Sequence, residues 1–423
     1  MILLHCLVVK KRQMTFFTRD KLLGLFIWLS LISIVAGRYT EPAILMIQTI
    51  FIIYQIQKIY VSRRWILIGG LVFSHSSLMI LLTGYDMFKF IQQIILLTTM
   101  FFCYYQIYHY CHKGVNEWFN KYRDLVYWLS LLGIVQFVIM SMTGKDLFPY
   151  TIDGFVTQNS GRLHAILMEP GNFAAISIPA TAYVVLSKGY YLKNKKKSLV
   201  ILTAFILTFT TSSFVTITII LLLKINQLFK CFKYLLVVIV AFGGFWIISN
   251  LNVFSEKRFF KDPKVATIEL KMKQTLSISK DADPEYFERL NASSYASLTN
   301  YWVAFNAPFR MVGTGLGTHA QNYEHLYKSD YYLYGLNKDD AYSMFARLYS
   351  EFGIIGLCIY VLFLVKFYNK NNIISLCLLV FFISYLIKGG NYTLYGTAFF
   401  HFVYYFLSPW KNLHNQKLSI TNQ

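Results

Sequence analysis

Apolar runs of membrane-spanning length recur along this 423-residue chain and leave it no soluble fold. A spanning helix needs about 20 mostly apolar residues. Candidates lie near residues 22–36, 42–61, 65–82, 88–108, 125–142, 164–187, 234–250, 344–367, 372–387 and 393–408. Residues 198–224 form a further apolar run, interrupted by Thr208, Thr210, Thr211, Ser212 and Ser213. Lys193, Lys195, Lys196 and Lys197 precede it, and Lys224, Lys230 and Lys233 follow it. Positive loops prefer the cytoplasm, so both flanks belong inside and the run reads as two short helices meeting at a polar turn. The expected fold is an all-α polytopic membrane protein of about twelve transmembrane helices. Both termini are then cytoplasmic.

The formal charge of +20 points first to nucleic acid, but its distribution removes the need for such a partner. Residues 251–343 hold equal numbers of basic and acidic residues, so the entire excess lies elsewhere. Lys10, Lys11, Arg12, Arg19, Lys21, Lys58, Arg63, Arg64, Lys113, Lys121 and Arg123 flank the spans on the side assigned inside. Met1–Val9 is too short an apolar run, and on the wrong side of the basic cluster, for a cleavable signal. The six cysteines lie in or beside apolar segments and form neither a disulfide framework nor a CxxC metal pattern.

The chain then divides into four parts. Residues 1–250 form an N-terminal bundle of about nine passes, the 198–224 hairpin among them. Residues 251–343 form a large outer loop, 344–410 a three-helix membrane segment, and 411–423 a cytoplasmic tail. The loop is too long for a connector, and the pattern Val265, Ile268, Leu270, Met272 and Leu276 among charged residues reads as a helical cap on the outer surface.

Chemistry concentrates at the outer side. In the stretch Gly161-Arg162-Leu163-His164-Ala165-Ile166-Leu167-Met168-Glu169-Pro170-Gly171-Asn172, an acid and a helix breaker stand at the start of an apolar span. An ionisable group there faces a wet cavity or a partner. Glu169 reads either as a working carboxylate, its pKa raised by burial, or as the mate of Arg162 in a structural clasp. The outer loop carries Trp302 and then Arg310-Met311-Val312-Gly313-Thr314-Gly315-Leu316-Gly317-Thr318-His319. Gly313, Gly315 and Gly317 make either an N–H nest for phosphate or sugar oxygens, or a structural bend. Arg162 and Arg310 are planar forks able to clamp a pyrophosphate, although exposed arginines also meet lipid headgroups. Tyr331, Tyr332 and Tyr334 offer aromatic area for sugar faces or an interfacial belt. Asp339 and Asp340 read as a helix cap or a general base. Arg347 and Glu351, one turn apart at the start of a span, can neutralise each other. His75 and His401 read as polar groups satisfied within the bundle.

The order of these motifs resembles the bacterial O-antigen polymerase and O-antigen ligase superfamily. The resemblance rests on the arginine-containing outer loop running into Glu169-Pro170-x-x-Phe173-Ala174, on the polar-centred hairpin, and on the large loop with Trp302 and Pro308 before Gly313-x-Gly315-Leu316-Gly317-Thr318. It also rests on Glu351-Phe352-Gly353-Ile354-Ile355-Gly356-Leu357 opening a span, and it covers roughly residues 120–390. It implies a GT-C-like glycosyltransferase in the bacterial cytoplasmic membrane, acting on undecaprenyl-diphosphate-linked oligosaccharides as donor and acceptor. No cofactor, nucleotide sugar or metal is implied; membrane lipids, a chain-length regulator and a flippase are the implied partners. The ligase branch carries a His-Asn pair where this chain has Tyr342 and Ser343, which favours a polymerase. Expected catalytic residues are Glu169, Arg162, Arg310, His319 and Asp340, with Arg162, Arg310, Gly313, Gly315, Gly317, Trp302, Tyr342 and Arg347 on the substrate. The acceptor base stays open among Glu169, His319, Asp339 and Asp340. A ligase and a lipid-linked glycan transporter are the alternatives.

Overall fold

A computed structural model describes residues 61–110, 114–148, 151–152, 155–156, 161–167, 169–228, 287–288, 292–393 and 396–408, together with Ile47. The expected spans near 22–36, 42–61 and 234–250, the amphipathic pattern at 265–276 and the tail from 411 lie outside the described residues, apart from Ile47 and Val61. What is described is helical, save for one two-residue antiparallel pair, β1 (Thr151–Ile152) with β2 (Phe155–Val156).

The helices are α1 (Arg63–Thr83), α2 (Phe88–Tyr110), α3 (Val115–Thr143), α4 (Pro170–Leu186), α5 (Lys188–Lys193), α6 (Lys195–Leu207) and α7 (Thr211–Leu228). After the gap come α8 (Ala292–Asn306), α9 (His319–Leu326), α10 (Met344–Phe367), α11 (Ile373–Ile387) and α12 (Thr397–Leu407). Among the described residues α1, α2, α3 and α10 contain stretches long and apolar enough to cross a membrane, and α4, α7, α11 and α12 are shorter apolar helices. The chain is thus a membrane-embedded helical protein. Apolar side chains such as Leu71, Leu81, Trp128, Ile359 and Val365 face outward, where lipid takes the place of a protein core.

The helix at the centre is α4. It is apolar on every side and buried from Pro170 to Val184 almost without interruption, as a helix surrounded by others must be. α3, α6, α7 and α11 pack around it. The Tyr122 hydroxyl of α3 donates to Ile176 O at 2.6 Å and accepts from Ala180 N at 3.2 Å, a group that Pro179, breaking the local ladder, helps make available.

The run 198–224 is two helices, α6 and α7, joined at Thr208–Thr210 with Phe209 in the left-handed region (φ 44°). The turn is buried, and its hydroxyls satisfy one another: Thr208 Oγ1 and Thr210 Oγ1 lie 2.7 and 2.9 Å from Ser213 Oγ. Buried hydroxyls without partners would each cost about 1–3 kcal/mol, so the Thr/Ser cluster is what allows a chain reversal there.

Long-range bonds fix which helix ends lie together. Leu163 N donates to Leu207 O (3.1 Å), Thr216 Oγ1 meets Ser384 Oγ (3.1 Å) and Gly389 N donates to Tyr342 O (2.8 Å). Lys89 pairs with Asp339 at 3.2 Å. Residues 144–148, 161–167 and 169, the α6–α7 turn, the start of α10 and the segment 292–343 therefore share one end of the bundle. The other end carries Arg63, Arg64, Lys121, Arg123, Lys188, Lys193, Lys195, Lys196, Lys197, Lys224, Lys366 and Lys370, with Glu117 and Asp124 as its acids among the described residues.

Candidate functional site

Segment 292–343 builds its own small aromatic core. Phe287, Tyr295, Val303, Tyr323 and Tyr327 are buried together, with Trp302, Tyr331 and Tyr334 packed against them. Trp302 is consumed in that packing, its ring 6.4 Å from that of Tyr327. Tyr334 likewise points inward, its hydroxyl donating to Tyr327 O at 3.1 Å. Of the three tyrosines expected to offer sugar-binding faces, Tyr332 alone stands out, 82% exposed.

The glycine-rich stretch is not an open nest. α10 is broken at Gly353 (φ 65°, ψ −163°), which leaves helix-end carbonyls and N–H groups without intrahelical partners. Residues 310–315 supply them. Thr314 N and Gly315 N donate to Ser350 O (3.1 Å) and Glu351 O (2.8 Å), while Ile354 N and Ile355 N donate to Arg310 O (3.0 Å) and Met311 O (3.1 Å). A Cβ on Gly313 would fall on the backbone of Glu351 and Phe352, and one on Gly353 on that of Met311 and Val312. Gly315 and Gly317 permit close approach to α1 and α2, where an added Cβ would lie 3.1 Å from Ser76 O and from Lys89 O respectively. His75 Nε2 bonds Val312 O at 2.9 Å, and Leu316 N donates to Ser76 Oγ at 3.0 Å. With Gly313 N, Thr314 N, Gly315 N and Leu316 N all engaged inside the protein, the expected phosphate nest at Gly313, Gly315 and Gly317 is corrected to a three-way helix clamp.

Beneath the clamp lies a buried polar centre. Arg347 Nε and Glu351 Oε1 are 3.1 Å apart, each side chain 1% exposed. Arg347 Nη1 donates to Gly390 O at 2.9 Å, its guanidinium lies 4.2 Å over the Tyr392 ring, and the Tyr392 hydroxyl donates to Glu351 Oε2 at 2.9 Å. Every charge is answered, which is what makes the pair tolerable in a low-dielectric interior. The expectation that Arg347 touches substrate is corrected: it is sealed from the surface and braces the 389–392 segment.

His319 is likewise internal. Its Nε2 lies 3.0 Å from Asn300 Oδ1, whose amide nitrogen donates to Ala296 O and Leu336 O. Burial, reinforced by nearby Arg347, lowers the imidazole to about 3 against the opposing pull of Asp339. A fully buried, neutral imidazole is not placed to take a proton from a bulky acceptor, so His319 is corrected from candidate base to structural group.

Asp340 is different. It is partly buried beside Gly390, its Oδ1 accepts from Tyr342 N at 3.1 Å, and burial raises its carboxyl to about 6 despite that bond and the nearby Arg347. The helix cap expected of Asp339 or Asp340 is made instead by Ser343, whose side chain accepts from Ala346 N. Tyr342 sits at φ 60° with its hydroxyl 3.1 Å from Ser293 Oγ and Lys388 Nζ 5.5 Å over its ring.

Glu169 is exposed, which corrects the expectation that it is buried. It occupies the cap position of α4 in extended conformation (φ −137°, ψ 151°) ahead of Pro170, and its carbonyl accepts from Asn172 N and Phe173 N. Arg162 is partly exposed and Arg310 exposed, both at the same end of the bundle.

A second polar centre was not foreseen. His164, fully buried, has Nε2 2.8 Å from Asp146 Oδ2 and Nδ1 on Leu167 O. Gln136 Nε2 donates to Asp146 Oδ1 at 2.7 Å, and Gln136 Oε1 accepts from Ala165 N at 2.8 Å. Burial opposes the Asp146 carboxylate, but the bonds from Gln136, Phe148 N and His164 outweigh it and hold the group below its ordinary 3.8. The cluster pins Ala165 at φ 55° and so fixes the course of the chain between Arg162 and Glu169. The sequence signal was Gln136, an amide inside an apolar run. His401, by contrast, is satisfied as expected, by Tyr360 Oη (3.0 Å) and Thr397 O (2.8 Å).

Among the described residues no group of three or more His, Cys, Asp or Glu side chains could hold a metal ion. Set against known proteins, the chain matches no family model, no curated protein and no solved structure.

Proposed function

We propose that the chain is a polymerase of polyprenyl-diphosphate-linked oligosaccharide repeat units, a GT-C-like membrane glycosyltransferase of about twelve spans working on the outer side of a bacterial cytoplasmic membrane. One observation carries this reading. Arg162, Glu169, Arg310 and Asp340 lie at the same end of the bundle as the aromatic cap, and the lysine-rich end lies opposite. The positive-inside tendency supports reading the lysine-rich end as cytoplasmic and the site as outside.

In this mechanism a sugar hydroxyl of the acceptor attacks the anomeric carbon of the donor. The bond to the diphosphate breaks and polyprenyl diphosphate departs. Arg162 and Arg310 bind its oxygens and stabilise the charge that develops on them. The hydroxyl proton passes to Asp340, whose carboxyl near 6 is matched to neutral conditions, and Glu169 orients the acceptor. Pyrophosphate is a good leaving group, so positioning and charge stabilisation supply most of the rate.

A broken helix also occurs in transporters, where the free helix ends coordinate substrate or ion. Here the ends at Gly353 are filled by residues 310–315, which favours the enzyme reading.

The test is the surface polysaccharide of a deletion strain of the source organism. Single repeat units on the acceptor, restored to long chains by the wild-type gene but not by Asp340→Asn, are expected. Absence of attached repeats would identify a ligase instead, and failure of lipid-linked repeats to reach the outer leaflet a transporter.

A further inference from the structure

The lysine-rich end holds a guanidinium that no carboxylate pairs with among the described residues. Arg123, on α3, is 8% exposed and lies against a pair of touching rings, 5.0 Å from the centroid of Tyr183 near the end of α4 and 4.0 Å from that of Tyr190 on α5, the two centroids being 5.4 Å apart. Among the described residues no acceptor reaches its buried Nε. The neighbouring carboxylate, Asp124, is engaged by Lys197 at 3.0 Å. Contact with two tyrosine faces does not replace a counter-ion, because a buried charge left uncompensated is strongly unfavourable.

The surroundings add positive charge. Lys193 lies one helical turn beyond Tyr190 on α5, and Lys197 reaches over the ring of Tyr127, one turn along α3 from Arg123, at 5.3 Å. Depth fits a lipid headgroup. The part of α3 from Arg123 to Thr143 rises about 30 Å at 1.5 Å per residue, the thickness of a hydrocarbon core, so Arg123 sits at its boundary when Thr143 sits at the other. The exposed Trp128 and Leu199 flank the same level with apolar surface suited to acyl chains.

We propose that Arg123, seated against the touching rings of Tyr183 and Tyr190 and flanked by Lys193 and Lys197, anchors a binding site for the phosphate of an anionic phospholipid. The planar guanidinium binds the phosphate oxygens while the rings hold it in place, and the lysines add unspecific attraction. This site is remote from the polymerase end, and its test is independent of that reading.

Purified full-length protein in neutral detergent is titrated separately with phosphatidylglycerol, phosphatidylcholine and inorganic phosphate, and bound lipid is read by native mass spectrometry. Saturable binding of phosphatidylglycerol, with phosphatidylcholine at least tenfold weaker, is expected for the wild type. Arg123→Gln should lower phosphatidylglycerol affinity at least tenfold and Arg123→Lys at least threefold, while Lys195→Gln, at the same end, stays within twofold. Displacement of the lipid by millimolar inorganic phosphate would assign the site to free phosphate rather than to a headgroup. Equal phosphatidylglycerol binding by wild type and Arg123→Gln, or equal affinity of the wild type for the two lipids, would overturn the proposal. If Arg123→Gln does not accumulate, Arg123→Lys, which keeps the charge, reads the same comparison.

Discussion

Gly313 and Gly353 face each other across a contact that admits no side chain on either: each would drive a Cβ into the backbone beside the other. Both also hold positive φ, 73° and 65°. Gly313→Ala and Gly353→Ala should therefore each destabilise by about 3 kcal/mol or more, combining backbone strain with displacement of the sealing hydrogen bonds. Gly69→Ala, in open space on α1, should be neutral or slightly stabilising. Thermal unfolding in detergent separates them; a Gly353→Ala protein melting with wild type would mean that the break in α10 is not held by the 310–315 segment.

The Arg347–Glu351 pair gives a second expectation. Arg347→Met or Glu351→Gln alone leaves a buried group without its mate, at about 3–5 kcal/mol, and protein levels should fall sharply. The double variant Arg347→Met/Glu351→Gln should lose much less than the sum of its parts. Strict additivity in a double-mutant cycle would deny the coupling.

Asp340 links pH to both stability and activity. Its folded carboxyl is raised from 3.8 to about 6, so the folded state holds more protons than the unfolded between those values. The stability it contributes is present at low pH and is lost as pH rises from about 4 through about 6, an effect of order 1–3 kcal/mol. Asp340→Asn should thus melt higher than wild type at pH 7, with the advantage vanishing near pH 4, yet form no polymer. Wild-type polymer formation should fade as pH drops below about 6. Normal polymer from Asp340→Asn at matched protein levels would remove it from the chemistry.

The two arginines are separable from folding, because both reach the surface. Arg162→Lys and Arg310→Lys should accumulate normally and shorten or abolish polymer, since a point charge cannot reproduce two parallel hydrogen bonds. Glu169→Gln, at an exposed cap position, should also accumulate normally. Wild-type polysaccharide from both lysine variants would reduce the arginines to lipid contacts.

What the sequence disclosed, it disclosed through periodic chemistry. Apolar runs near 65–82, 88–108, 344–367 and 372–387 coincide with α1, α2, α10 and α11, and the hydroxyl-rich interruption after Leu207 is a reversal because lysines on both flanks required it. The Arg347–Glu351 spacing was enough to read a pair. What stayed hidden depends on partners distant in sequence. Three glycines in five residues look alike whether their N–H groups await an anion or close a gap in a helix, and Ser350 and Glu351 decide it. Gly353 read as an ordinary residue at the start of a span. Burial was expected at Glu169 and is not found, and His319 is enclosed against Asn300, since neither the exposure of a cap position nor the enclosure of a loop imidazole is encoded locally.

The clamp made by residues 310–318 also bears on how the chain is made. Leu316 reaches back 240 positions to Ser76, Tyr85 reaches forward 237 to Asn322, and Lys89 reaches forward 250 to Asp339. At a synthesis rate of about 5–20 residues per second, α1 and α2 enter the bilayer roughly 10–50 s before these partners exist. During that interval among the described helices they have chiefly each other. Translation that stops short of residue 310 leaves α1 and α2 without this clamp and leaves α2 without α12, whose rings Phe399, Phe402 and Phe406 pack on Tyr104 and Tyr108.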